Sequence, residues 1–192
     1  MTTLAAFQGD GWTVIGSDSR ATDSNGRYFD LAGDKVVRVG KYLIAAAGAS
    51  RGANILQYGW TPPKPPATND VKIMDKFITR TFIPSMRKIF VESGYEMKGE
   101  YSPVYHDSAL LVIVNGLIYP IDFDYSWDRD KRNIYFTGSG GSLAAAAMVA
   151  LDIDEAENMD EAAAIINRAI EIACEWDVYS SEPIVVKGST FS

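Results

Sequence analysis

The chain has 192 residues, 47% of them hydrophobic, 22% charged and 11% aromatic, enough apolar material for one substantial core, so a single domain over residues 1–192 is expected. Its net charge of -7 argues against a surface built to neutralise phosphate backbones, and therefore against nucleic acid as a partner. It holds no run of about eighteen or more apolar residues. Met1-Thr2-Thr3-Leu4-Ala5-Ala6 also lacks the basic start and apolar stretch of a secretory signal, so the expectation is a cytoplasmic protein with no membrane partner.

Residues 2–7 and 12–16 are β-prone runs on either side of Gln8-Gly9-Asp10-Gly11 and read as a hairpin. A polar stretch with a Ser24-Asn25-Gly26 turn follows, and residues 35–39 and 42–47 then pair across Gly40-Lys41. Residues 50–58 fit a helix that Thr61-Pro62-Pro63-Lys64-Pro65-Pro66 must stop, because proline lacks the helical donor. The proline run reads as a rigid loop, with a ligand for a proline-reading domain as the rarer alternative. Asn69 or Asp70 can cap the next helix, in which Val71, Met74, Phe77, Ile78, Phe82 and Met86 recur at spacings of three and four, and Pro84 should kink or interrupt it before its end near Val91. Residues 94–107 read as irregular. Residues 109–114 and 117–123 around Asn115-Gly116 carry the strongest hairpin signal in the chain. After a charged loop at 124–132, residues 134–137 form a strand that runs into Gly138-Ser139-Gly140-Gly141 and an alanine-rich helix at 143–151. Asn158 and Glu161 resemble a capping box for a helix whose apolar face is Ala162, Ile165, Ile166, Ala169, Ile172, Ala173 and Trp176. Residues 183–187 are the final strand. Helices grouped in two blocks between antiparallel hairpins predict an α+β fold of stacked layers.

Cysteine occurs once, at Cys174, which excludes a disulfide framework and a zinc site of several thiolates. Histidine also occurs once, at His106, so no histidine cluster can hold a metal, and neither metal nor cofactor is expected. His106, just ahead of a strand, reads as a surface or strand-end residue, and Cys174 as a small core residue on the last helix. A hydrolase of this composition must find its base elsewhere. The α-amino group, with a reference pKa of about 7.7 to 8.0, titrates in the right range. Thr2 would supply both the hydroxyl nucleophile and, once Met1 is removed, the amine that takes its proton. Met-Thr alone is also an ordinary way for a chain to begin.

Downstream motifs bear on this choice. Thr2-Thr3-Leu4, Gly16-Ser17-Asp18-Ser19-Arg20-Ala21-Thr22, Asp34-Lys35, Gly48-Ala49-Ser50, Gly138-Ser139-Gly140-Gly141 and Asp177-Val178-Tyr179-Ser180 follow one another in an order and at a spacing that resemble a proteasome β subunit. The chain is also similar to the peptidase component of the bacterial two-part ATP-dependent protease. Only residues 59–107 carry no alignable motif. The resemblance implies the N-terminal nucleophile hydrolase fold, a four-layer αββα sandwich of two antiparallel sheets flanked by helices.

By position, the resemblance makes Thr2 the nucleophile, Lys35 the cation that favours its neutral amine and developing alkoxide, and Asp18 the carboxylate holding Lys35. Ser139 would support the amine, with Asp177 and Ser180 completing the surroundings. Gly48 would offer its backbone N–H to the oxyanion. Ala21, Val37, Ala46 and Ser50 would line the first specificity pocket. All four are small or apolar and none is charged, which implies cleavage after apolar residues. Against the family pattern the chain has one extra residue between Asp18 and Lys35 and one fewer before Gly48. The implied protein is a threonine endopeptidase acting on polypeptides from inside a homo-oligomeric ring, fed by an ATP-dependent unfoldase. Two other classes stay open: a catalytically silent ring or scaffold subunit of the same fold, and a small-molecule amidohydrolase with an N-terminal nucleophile. An intact Thr2, Asp18 and Lys35 set weighs against the silent subunit. Asp34-Lys35 and the Gly-Ser-Gly-Gly turn weigh against the amidohydrolase.

Overall fold

A computed structural model describes residues 1–23, 25–98 and 104–191. Ser24 of the expected Ser24-Asn25-Gly26 turn and residues 99–103 of the expected irregular piece lie outside them. Strands β1 (Thr3–Gln8) and β2 (Trp12–Ser17) form the first hairpin, and β3 (Arg20–Thr22) with β4 (Tyr28–Asp30) a small second one. Strands β5 (Val36–Val39) and β6 (Tyr42–Gly48) pair next, and helix α1 (Ser50–Asn54) continues into a π turn, Ile55–Gly59. The proline-rich segment is a strap tied to the body: the Tyr42 hydroxyl donates to Pro63 O at 2.7 Å, and Asn115 Nδ2 donates to Pro66 O and Thr68 O, each at 2.7 Å. These bonds, with Pro65 buried, favour the rigid-loop reading.

Asp70 caps α2 (Val71–Phe77) by accepting from Ile73 N at 3.0 Å. A π turn (Ile78–Phe82) then leads into α3 (Ile83–Glu92). Pro84 therefore neither ends nor breaks the helical path. The widened turn just before it accommodates a residue that has no N–H to return and a ring that crowds the preceding carbonyls. Residues expected to be irregular contain a short ladder of β7 (Met97–Lys98) and β8 (Val104–Tyr105). Strands β9 (Ser108–Val114) and β10 (Leu117–Ile121) turn at Asn115 and Gly116, both at positive φ (52° and 73°), as a two-residue hairpin requires. Strand β11 (Ile134–Gly138), α4 (Gly141–Ala150), a single 3₁₀ turn (Ile153–Glu155), α5 (Met159–Trp176) and β12 (Val185–Thr190) complete the chain.

The strands assemble into two four-stranded antiparallel sheets, ordered β11-β1-β2-β12 and β10-β9-β6-β5. Alternation explains why these strands are apolar on both faces. In β1, Leu4 and Ala6 point into the core between the sheets, where they meet Leu43, Ala45, Leu111 and Ile113, while Ala5 and Phe7 point out beneath α4 and α5. In β6 and β9, Ile44, Leu110 and Val112 face outward to Met74, Ile78, Phe82, Met86 and Phe90 of the other helical layer. The result is the four-layer αββα sandwich.

Three side chains differ from expectation. Trp176, placed on the buried face of α5, is 75% exposed, because it occupies the helix's last position, where the chain turns away; Ile170 is buried on that face. His106 does sit at a strand end but is fully buried, packed between the rings of Phe90 and Tyr125 with centroids 5.1 and 4.6 Å away. Burial lowers its pKa. At the α5 start, Asn158 accepts from Asp160 N and Glu161 N as predicted, but Glu161 returns its bond to Glu157 N, one residue earlier than a capping box requires. Among the described residues no helix is long and apolar enough to cross a membrane.

Candidate active site

Thr2 stands immediately before β1, which is held on both sides: Thr3 pairs with Gly138 of β11 and Leu4 with Ser17 of β2. Gly138 has φ 89°, and a Cβ there would overlap the Thr2 carbonyl, so the close approach of β11 to the chain start depends on glycine. Asp18, just past β2, is fully buried. Its Oδ1 accepts from Thr3 N at 2.8 Å and from Lys35 Nζ at 2.6 Å, and its Oδ2 from Arg20 N at 3.0 Å and Ser181 N at 3.4 Å.

Lys35, just before β5, is 7% exposed at the side chain. Its ammonium donates to Asp18 Oδ1 (2.6 Å), Arg20 O (2.6 Å) and Thr2 Oγ1 (3.2 Å), which accounts for all its hydrogens. Burial lowers the Lys35 pKa, and the Asp18 carboxylate opposes that shift. The β3–β4 hairpin lies between Asp18 and Lys35 in the chain, and the two side chains still meet at 2.6 Å. Thr2, Asp18 and Lys35, distant in sequence, thus form one connected group.

Ser139, Asp177 and Ser180 form a second. Ser139 Oγ lies 2.7 Å from Asp177 Oδ2 and 3.4 Å from Thr2 O, and Ser180 Oγ lies 2.7 Å from the same carboxylate oxygen. Each serine has one hydrogen, and the carboxylate at 2.7 Å is the stronger acceptor for both. The Ser139 oxygen is then left with lone pairs for a donor. Gly48 ends β6 at φ 120°, where a Cβ would overlap Asp107 O. Its neighbour Ala49 donates its N–H to that same carbonyl at 2.8 Å.

Thr2, Lys35 and Gly48 border a cleft of about 320 Å³, and Ala21, Val37, Ala46 and Ser50 all line it. Charged residues also line the cleft, beyond those four positions. Asp34 is paired with Lys187 at 2.7 Å, and Arg20 donates to Val178 O at 3.0 Å. Met1 lies in the cleft as well, and Thr2 Oγ1 donates to Met1 O at 2.6 Å. Sequence reasoning did not single out Thr3, Arg20, Asn54 or Gln57. The last two line the cleft from α1 and its π turn, and Thr3 joins the two groups of site residues. Only its adjacency to Thr2 could have marked it. Cys174 is partly buried near this region, and burial pushes its thiol up to about 12, which suits a packing residue. Among the described residues no three His, Cys, Asp or Glu side chains come together as a metal site.

No protein-family model matches the chain, and no curated protein sequence does. Solved structures do. The chain is similar to Thiobacillus denitrificans BPH, with a TM-score of 0.77 at 20% identity over 100% of this chain and 99% of that one. It is similar to the same protein in complex with epoxomicin, with a TM-score of 0.76 at 20% identity over the whole of both chains. Eukaryotic HslV from Trypanosoma brucei gives 0.63 at 22% identity, covering 97% of this chain and 98% of that one. The chain has the N-terminal nucleophile hydrolase fold, and these neighbours fit the proteasome β-like resemblance carried by its motifs.

Proposed function

We propose that the chain is a threonine-type endopeptidase whose nucleophile is Thr2 after removal of Met1. The observation that carries this reading is the single ammonium of Lys35 bonded at once to Thr2 Oγ1 and to the buried Asp18 carboxylate, at the wall of a cleft.

In this reading, the neutral Thr2 amine takes the proton of Oγ1 as the oxygen attacks a substrate carbonyl carbon. Lys35 stabilises the negative charge that develops on Oγ1 and, as a nearby cation, disfavours protonation of the amine beforehand. Asp18 keeps Lys35 charged and in place. Ser139, its own hydrogen committed to Asp177, accepts an N–H of the amine and leaves the nitrogen lone pair directed to Oγ1. The Gly48 backbone N–H receives the substrate oxyanion. The protonated amine then gives its proton to the leaving nitrogen, leaving an ester on Thr2. Water, deprotonated by the same amine, attacks that ester; the bond from the acyl carbon to Oγ1 breaks, Oγ1 takes the proton back from the amine, and the acid product leaves.

The small apolar lining of Ala21, Val37 and Ala46 supports cleavage after apolar residues. A homo-oligomeric ring in the cytoplasm, with an ATP-driven unfoldase delivering polypeptides, belongs to the same reading and follows from the resemblance carried by the motifs. The silent-subunit reading requires Met1 to stay attached, since the Thr2 nitrogen is then an amide without basicity and Oγ1 donates to Met1 O. Both readings are tested by comparing protein that starts at Thr2, protein that keeps Met1, and Thr2→Ala on a fluorogenic peptide. The endopeptidase reading expects turnover only in the first, with the same oligomeric state in all three. Equal turnover in Thr2→Ala, or none in the Thr2-starting protein, contradicts it.

A further inference from the structure

Thr3 is buried with no exposed surface and touches both halves of the site. Its backbone N–H donates to Asp18 Oδ1 at 2.8 Å, and its carbonyl accepts from Asp18 N at 3.2 Å, which joins it to the Asp18–Lys35 pair. Its hydroxyl lies 2.6 Å from Ser180 Oγ, which joins it to the Asp177 carboxylate. Counting hydrogens settles the direction of this bond. Ser180 has one hydrogen, directed to Asp177 Oδ2 at 2.7 Å, so Thr3 must be the donor and Ser180 the acceptor. The space around the hydroxyl is closed on the far side by Gly140, where a Cβ would overlap Thr3 Oγ1.

Resting on the peptidase reading above, we propose that Thr3 is a positioning residue: its hydroxyl, donating to Ser180, aligns the Ser180–Asp177–Ser139 chain so that Ser139 presents an oxygen lone pair to the Thr2 amine. A hydroxyl that accepts a hydrogen bond donates a stronger one. Thr3 thus reinforces the Ser180 bond that offsets the negative charge of Asp177. Without it, Asp177 acts more strongly as an anion beside the chain start and favours the protonated amine, which is no base. The charged groups around that amine are Lys35 and Asp18 on one side and Asp177 on the other. Arg20 and Asp34, also at the cleft, are held by Val178 O and by Lys187.

The test uses protein starting at Thr2 and follows acetylation of its amine by acetic anhydride against pH, read by mass spectrometry, alongside peptide turnover. Thr3→Val is expected to raise the pH at which the amine becomes reactive by about half a unit, a roughly threefold loss of neutral amine on the acid side. On the acid side, kcat falls by the same factor and KM stays unchanged. Thr3→Ser, which keeps the donor, is expected to restore both. Thr3→Ala removes the hydroxyl without setting a methyl group against Ser180 and carries the test if the valine variant fails to fold. An amine that titrates as in the wild type in Thr3→Val or Thr3→Ala overturns the role of Thr3, as does a serine variant that behaves like the valine one. Absence of turnover in the wild type, with the amine shift still present, would instead count against the peptidase reading.

Discussion

Lys35 divides its hydrogens among a carboxylate, a carbonyl and the Thr2 hydroxyl, and this division makes its removal costly in two ways. Lys35→Ala leaves the fully buried Asp18 carboxylate without its cation, and breaking such a pair costs on the order of 3–5 kcal/mol. Urea denaturation should show that loss, and Asp18→Asn combined with Lys35→Met should be less destabilised than the sum of the two single variants. Additive losses would mean that the pair is not coupled. Titration gives a second prediction. In the endopeptidase reading the amine must be neutral to act, so activity rises as pH rises through its pKa, with the nearby Lys35 charge opposing its protonation. Lys35 must be charged, and burial lowers its pKa, so activity falls again on the alkaline side before an ordinary lysine, near about 10.4, would lose its proton. A kcat/KM profile measured against pH should be bell-shaped, and a plateau persisting past the ordinary lysine range would contradict the role given to Lys35. At this scale the sequence made Thr2, Asp18 and Lys35 legible through short motifs with a chemical reason. It concealed Thr3 and the burial of His106, because both depend on partners from distant segments: Ser180 for Thr3, and Phe90 and Tyr125 for His106.

Helix α5 determines where Asp177 and Ser180 lie, since they follow its last residue, and its seat on β2 is therefore part of the site's support. Gly16 allows that seat: a Cβ there would come within 2.6 Å of both Ile166 Cγ2 and Ile170 Cδ1. Gly16→Ala should cost about 1–3 kcal/mol by overpacking, seen as a lower midpoint in thermal or urea unfolding, and turnover should fall with it because Asp18 is two residues away. Ile170→Val, which shortens one of the side chains met, should return part of the loss when combined with Gly16→Ala. No recovery would mean that α5 is not what the new methyl group displaces. Elements with a local cause were readable in the sequence. Asn115-Gly116 needs positive φ at both residues, and Asp70 and Asn158 have side-chain oxygens at helix starts. The two π turns were not readable, because a widened turn leaves the same apolar spacing in the sequence and arises from packing around Pro84 and at the end of α1.

Two sheets packed face to face account for the composition of the whole chain, since β1, β6 and β9 bury residues on both sides and need a helical layer outside each sheet. Hairpin and helix order alone was compatible with several layered folds, and the series of motifs narrowed it to this one. The same stacking sets Thr2, at the start of β1 in one sheet, beside Lys35, at the start of β5 in the other. Thr2 and Lys35 therefore meet only when the sandwich is assembled. The account's central claim is that the Thr2 hydroxyl carries the acyl group. Protein starting at Thr2 should be mixed with an activated ester of an apolar peptide, quenched in acid within its first turnover, and mapped by tandem mass spectrometry. The acyl mass is predicted on Thr2 and absent from Lys35→Ala quenched at the same time; an acyl group on any other residue, or hydrolysis without one, would contradict it.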